Sequence, residues 1–299
     1  MRAVVLTSFG GPEVLETAEV EIPEPGPAQV RIKVRAAAVN PVDAGERAGA
    51  FGGEAGVRVG LGWDVAGTVD AVGAGAGSWS VGDEVVGLLY GLLKPFGTHA
   101  EFVVLDASAI AAAPRSVDAV GAATLPLNGL AAARALALLK LDAGQSLLVT
   151  GAAGAVGGFA VQLARRAGLV VSAQGGAGDE ELVRALGADH FVPRTGPLGS
   201  GYDGVLDAAV LGEAALAAVR DGGAHVGVIP GASPASERGI RVETQEVAAD
   251  GELLAELVTL VDEGVLTLRV AETYGLEEAA KAHVRLQEGG VRGRLVLVP

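Results

Sequence analysis

The chain has no cysteine, which excludes disulfide bonds and any metal site built on thiolates. Histidine is scarce too, occurring only at His99, His190, His225 and His283. None of these is paired at ligand spacing, so no catalytic zinc is expected. Aromatic residues make up only 4% of the chain and charged residues 19%. Half of the residues are hydrophobic, a composition that builds a core rather than a disordered chain. No apolar run reaches the ~18 residues of a membrane span without a charge or glycine break. Met1 to Leu6 is too short for the apolar part of a signal peptide, and Gly10-Gly11-Pro12 soon follows it. A soluble cytoplasmic protein is the expectation. Positive charge is also in deficit, with a formal net charge of -14. This disfavours nucleic acid and anionic membrane as partners.

Glycine is abundant, with 46 residues, and one cluster of it organises the chain. Leu147-Leu148-Val149 is a short apolar run. Thr150-Gly151-Ala152-Ala153-Gly154-Ala155-Val156-Gly157-Gly158 follows, and from Phe159 the pattern becomes helical. Strand, tight turn and helix form the setting of a dinucleotide fingerprint, in which the backbone turns sharply, approaches a pyrophosphate and packs a helix on a strand. Ala152 takes the first glycine position, with Gly154 and Gly157 following. Two readings fit the motif alone: a phosphate cradle, or a small-residue packing turn without a ligand.

At roughly 100–200 residues per domain, 299 residues predict two domains. Residues 1–113 read as short strands between turn signals, a mostly β unit in the form of a partly open barrel. Val30 to Arg35 alternates apolar and charged residues, as a half-buried strand does. Residues 114–256 alternate strands and helices, which predicts a Rossmann-type, doubly wound parallel sheet of the α/β class. Ile240 to Val247 supplies a sixth strand. In residues 257–299, Leu266 to Val270 and Leu295 to Val298 are predicted as strands.

Several motifs, in order along nearly the whole chain, resemble quinone oxidoreductases of the medium-chain dehydrogenase/reductase superfamily. They are Ser8-Phe9-Gly10-Gly11-Pro12-Glu13-Val14-Leu15, Ala38-Val39-Asn40-Pro41-Val42-Asp43, Gly62-Trp63-Asp64-Val65-Ala66-Gly67, Val81-Gly82-Asp83-Glu84-Val85, Leu125-Pro126-Leu127-Asn128-Gly129-Leu130 and Gly289 to Leu297. The resemblance implies a GroES-like catalytic domain of residues 1–113, completed by 257–299, around an NADP-binding domain of 114–256. It also implies a homodimer paired at the edge of the cofactor sheet. Where zinc alcohol dehydrogenases of the superfamily carry a Gly-His-Glu stretch, this chain has Gly62-Trp63-Asp64.

Ligands on a doubly wound sheet sit beyond the carboxyl ends of its strands. The cofactor-binding candidates are therefore Gly151, Ala153, Gly154, Ala155, Val156, Gln174, Gly175, Ile229, Gly231 and Ala232, with Asn128 added by the resemblance. The second strand ends in Ala173-Gln174-Gly175, without the carboxylate that bonds a free ribose in NAD sites, which favours NADPH. Arg194 is the candidate donor to its 2′-phosphate; a solvated surface arginine is the other reading. Asp179 stands where the family often has lysine. Asn40 is the candidate catalytic polar group, and Phe51, Trp63 and Tyr90 are candidate substrate walls. Related enoyl reductases have a tyrosine at the position of Phe51, and phenylalanine donates no proton.

The resemblance thus implies a zinc-free, NADPH-dependent reductase of quinones or α,β-unsaturated carbonyls. Two other readings stay open: an enoyl-thioester reductase, and an NADPH-binding protein without significant turnover.

Overall fold

The computed structural model describes residues 1–54 and 56–299. The chain divides into two compact units, one of Met1–Leu127, Ala248–Asp262 and Leu268–Pro299, the other of Asn128–Val247 and Glu263–Thr267. The second unit therefore starts further along than residue 114 and ends, but for a short return, before residue 256.

The first unit opens with strands β1 (Arg2–Leu6), β2 (Glu16–Glu19) and β3 (Gln29–Val39) and helix α1 (Pro41–Ala48). Strands β4 (Val59–Gly60), β5 (Asp64–Val72), β6 (Glu84–Leu88), β7 (Phe102–Asp106) and β8 (Ile110–Ala112) follow, and then the short helix α2 (Ala119–Ala122). Alternation in β3 does what its sequence requires. Val30, Ile32 and Val34 are buried, whereas Lys33 and Arg35 are exposed. Each apolar side chain so buried contributes about 1.5–3 kcal/mol. Their cluster includes Val65 and Val69 of β5, Val85 of β6 and Val103 and Leu105 of β7.

Helix α3 (Pro126–Leu139) carries the chain from one unit into the other, with its proline in the first turn, where no amide hydrogen is missed. The second unit has strands β9 (Ser146–Thr150), β10 (Val170–Gly175), β11 (His190–Pro193), β12 (Tyr202–Asp207), β13 (Val219–Gly227) and β14 (Arg241–Thr244). Helices α4 (Ala155–Arg166), α5 (Glu180–Ala185) and α6 (Glu213–Ala218) are interleaved with them. All neighbouring pairs are parallel. The order is β11-β10-β9-β12-β13-β14, so the sheet winds outward both ways from β9 and β12. A crevice is expected at that reversal. Leu147, Leu148 and Val149 of β9 have no exposed surface, as a strand covered on both faces requires.

The first unit closes with α7 (Gly251–Asp262), β15 (Val270–Gly275), α8 (Ala279–Gln287) and β16 (Arg294–Val298). Its larger sheet runs β15-β16-β3-β5-β6-β8, with β7 also on β3, and its smaller one β2-β1-β4. Apart from the parallel β15–β16 pair, the pairs are antiparallel. The strand expected at Leu266–Val270 begins instead at Val270. Leu266 is buried, and the Thr267 N–H donates to Gln162 Oε1 at 2.7 Å. Leu266 serves packing within the second unit rather than a ladder.

Candidate active site

At the carboxyl end of β9, Gly151 turns the chain with φ +59°, a conformation that a side chain resists. The Gly154 N–H donates to Gly151 O at 2.9 Å, and Gly154 is the N-cap of α4. Gly157 and Gly154 differ in what a side chain would meet. A Cβ on Gly157 would lie 2.4 Å from Gly151 O and 2.8 Å from Ala152 Cα, so this glycine lets helix and turn pack together. A Cβ on Gly154 would meet only Gly151 O, at 3.1 Å. Packing therefore explains Gly157 more directly than Gly154, where the same carbonyl oxygen is met less closely. The amides of Ala155, Val156 and Gly157 begin a helix of 12 residues and favour an anion beside them. These features fit a dinucleotide pyrophosphate. Ala152 in the first glycine position is fully buried, and its N–H donates to Gln174 O at 3.0 Å.

The other candidates of this unit stand at the same carboxyl ends. Gln174 and Gly175 finish β10. Gln174 is buried, and its side-chain oxygen accepts from the Gly151 N–H at 3.2 Å, so it braces the turn. Arg194 follows β11 and is exposed, with its own N–H fixed to Gly175 O at 2.7 Å. Asp179 is buried, and its carboxylate accepts from the Gly176 N–H at 2.8 Å. Ile229, Gly231 and Ala232 follow β13 and are exposed. Asn128 is buried in the first turn of α3.

The first unit gathers a second group around α1. Asn40 is its N-cap and is fully buried. The Asn40 side-chain amide donates to Asp64 Oδ2 at 2.6 Å, and the other oxygen of Asp64 accepts from the Leu127 N–H at 2.6 Å. Burial pushes the Asp64 carboxyl up to about 7 despite those hydrogen bonds. Asp43 accepts from the backbone N–H of Asn40 and of Gly62. The indole N–H of Trp63 donates to Glu46 Oε2 at 2.9 Å, and Leu93 N–H donates to Glu46 Oε1 at 2.7 Å. Burial raises the Glu46 carboxyl and lowers Lys94. Lys94 lies 4.4 Å from the centre of the Trp63 ring, and Tyr90 meets the same ring edge-on at 5.5 Å. Phe51 and Tyr90 are exposed, whereas Trp63 is buried.

Trp63 and Tyr90 are thus brought together beside Asn40's helix, and Phe51 lies against that helix at Gly45. Asp43, Glu46 and Lys94 were missed from the sequence. One signal for Asp43 is legible, since an asparagine, a proline and an acid three residues on form an N-terminal cap pattern. Behind this group lies a buried basic cluster. Arg47 reaches His283 Nδ1 at 3.2 Å, and His99 Nε2 lies 3.0 Å from Ala38 O. Among the described residues, no three His, Cys, Asp or Glu side chains gather to hold a metal ion.

The sequence matches the alcohol dehydrogenase GroES-like domain over residues 26–115 and the zinc-binding dehydrogenase family over residues 178–297. It is 32% identical to a chloroplastic NADPH-dependent alkenal/one oxidoreductase of Arabidopsis thaliana, over all of this chain and 80% of that protein. The chain belongs to the zinc-free quinone oxidoreductase family of the medium-chain dehydrogenase/reductase superfamily. Among solved structures of the superfamily, the quinone oxidoreductase of Coxiella burnetii superposes with a TM-score of 0.90 at 27% identity, covering 100% of this chain and 99% of that one. A mycobacterial protein solved with NADPH gives 0.85 at 28% identity, covering 100% of both chains. Trp63 is held in place by its contacts to Glu46, Lys94 and Tyr90.

Proposed function

We propose that the chain binds NADPH at the Gly151–Gly157 turn and reduces a quinone or an α,β-unsaturated carbonyl without a metal. One observation carries the reading: the glycine turn after β9, with Gly151 at φ +59°, delivers Gly154 as the N-cap of α4, so that the amides beginning that helix stand at the carboxyl end of the strand. The activities for which the relatives are named agree with it. When bound, NADPH supplies the hydride. The chain's own residues bind and orient. Gly151, Ala153 and Gly154 allow close approach, and the Ala155 and Val156 amides take the pyrophosphate. Gln174 shapes the turn from behind, and Gly175, Ile229, Gly231, Ala232 and Asn128 complete the cofactor set. β10 itself ends in Gln174-Gly175 rather than in a carboxylate, the nearby Asp179 being buried on the Gly176 N–H, and Arg194 is the planar donor for the 2′-phosphate. In the other unit, Asn40 is the polar group assigned to the substrate, with Phe51, Trp63 and Tyr90 as apolar wall. Phe51 has no proton to give, which favours an acceptor whose reduced form takes its proton from water.

The test is binding against stability. Gly154→Val is expected to abolish NADPH binding. It should shift the melting point of the cofactor-free protein by only a few degrees, since ~1 kcal/mol moves the midpoint by ~2–4 °C at this size. Wild-type affinity in that variant would remove the cofactor from this turn. The same reading makes the protein a cytoplasmic homodimer whose β14 edge is covered by that of a second copy, because an open strand edge invites pairing. Light scattering should then give twice the 29.7 kDa chain mass, and a monomer would contradict the pairing.

A further inference from the structure

Thr150 and Asp207 are register partners at the last step of the β9–β12 ladder, where the strand order reverses. The Thr150 hydroxyl donates to Asp207 Oδ1 at 2.6 Å and accepts from the Ala209 N–H at 3.0 Å. The other oxygen of Asp207 accepts from the Gly212 N–H at 2.9 Å, and His225 Nε2 lies 3.8 Å from it. Both partners are buried, Thr150 with no exposed surface and Asp207 with 3%. The loop they hold, 208–212, packs on the glycine turn: a Cβ on Gly151 would come within 3.2 Å of Ala209 Cβ and N. In that loop Val210 sits at φ +56° and is 41% exposed. A β-branched residue adopts such a backbone only where its neighbours impose it, and such strain collects at functional sites.

From this geometry we infer that Asp207 and Thr150 are positioning residues for cofactor binding, a hydrogen-bonded clasp that fixes the Gly151 turn against the 208–212 loop. The inference rests on the reading of this crevice as the NADPH site. Burial raises the Asp207 carboxyl, but His225, the Thr150 hydroxyl and backbone amides outweigh it and hold the group below its ordinary value. An anionic acceptor of that kind makes strong hydrogen bonds. The clasp touches no open space itself, so it acts through the two backbone segments that rim the crevice.

The test uses full-length Thr150→Val, Thr150→Ser and Asp207→Asn, each measured for NADPH dissociation constant and cofactor-free melting temperature. Valine keeps the shape of threonine and loses the hydroxyl; serine keeps the hydroxyl and loses the methyl. Asparagine turns an N–H toward either the Gly212 amide or the Thr150 hydroxyl. Thr150→Val and Asp207→Asn should each weaken NADPH binding ~10-fold, the usual loss for one hydrogen bond to a charged group. Thr150→Ser should bind within about twofold of wild type, and the valine–asparagine double variant should be little worse than either single, as coupled partners require. Serine as damaging as valine, or losses that add in the double variant, would overturn the clasp. So would wild-type affinity in Thr150→Val and Asp207→Asn. A wild-type protein that does not bind NADPH would instead overturn the cofactor reading itself.

Discussion

Gly154 and Gly157 stand three residues apart in one turn, and they differ in how closely the backbone would meet a side chain. At Gly157 a Cβ would stand 2.4 Å from Gly151 O, and at Gly154 it would stand 3.1 Å from the same atom. Gly157→Ala should therefore destabilise the cofactor-free protein by ~1–3 kcal/mol, the usual cost of overpacking, whereas Gly154→Val should act on binding. Melting curves of the two variants without cofactor check the contrast. Equal losses of stability would mean that both glycines only pack. Arg194→Ala tests the cofactor choice. It should narrow the preference for NADPH over NADH by roughly 1–2 kcal/mol, read as the ratio of the two dissociation constants. An unchanged ratio would return Arg194 to the solvated surface. The placement of these glycines and this arginine after strand ends was legible in the sequence. The direction of a buried amide was not. Gln174 turns inward to the Gly151 N–H, and the Asn40 side chain turns to Asp64, outcomes set by tertiary neighbours rather than by residue type.

At the scale of elements, periodicity carried far. The alternation of β3 and the continuous apolar run of β9 are visible in sequence, and each matches the burial its sheet imposes. The sequence order of the parallel strands was legible too, while their spatial order follows from the handed crossovers of the fold. Leu266 to Arg269 misled, because an apolar residue recruited to packing has the same local pattern as one in a strand. Helix α8 carries an element-scale consequence. His283 is held down to about 3 by burial, with His99 and Arg47 adding to it. The unfolded chain binds that proton below the ordinary value of 6.5, and the folded chain only near 3. Its contribution to stability is therefore full above about pH 6.5 and declines as pH falls toward about 3, at a limit of ~1.4 kcal/mol per pH unit. Asp64 has the opposite sign, since its raised value favours the fold as pH falls from about 7 toward about 4. His283→Gln keeps an acceptor for Arg47 and removes the titration. In denaturant titrations from about pH 7 to about pH 4, the stability difference between variant and wild type should move in favour of the variant as pH falls. A constant difference would contradict the assignment of His283.

For the whole molecule, the architecture was legible in composition and motif order: no cysteine, two units, one wound sheet, and motifs in family order from Ser8 to Leu297. The buried charges of the first unit were not legible at this scale. Asp43, Glu46 and Asp64 are wholly buried beside Arg47 and Arg294, and low overall charge gives no sign that so much of it is inside. The activities of the named relatives and the turn at Gly154 meet in a single claim, reduction of a quinone or enone by NADPH without metal. The decisive measurement is NADPH absorbance followed after exhaustive chelation, with a panel of quinones, enones and enoyl thioesters. NADPH should be consumed in step with the appearance of a reduced quinone or enone, at the same rate before and after chelation. Turnover that is lost to the chelator and restored by zinc, turnover confined to the thioesters, or no consumption with any acceptor would contradict the claim.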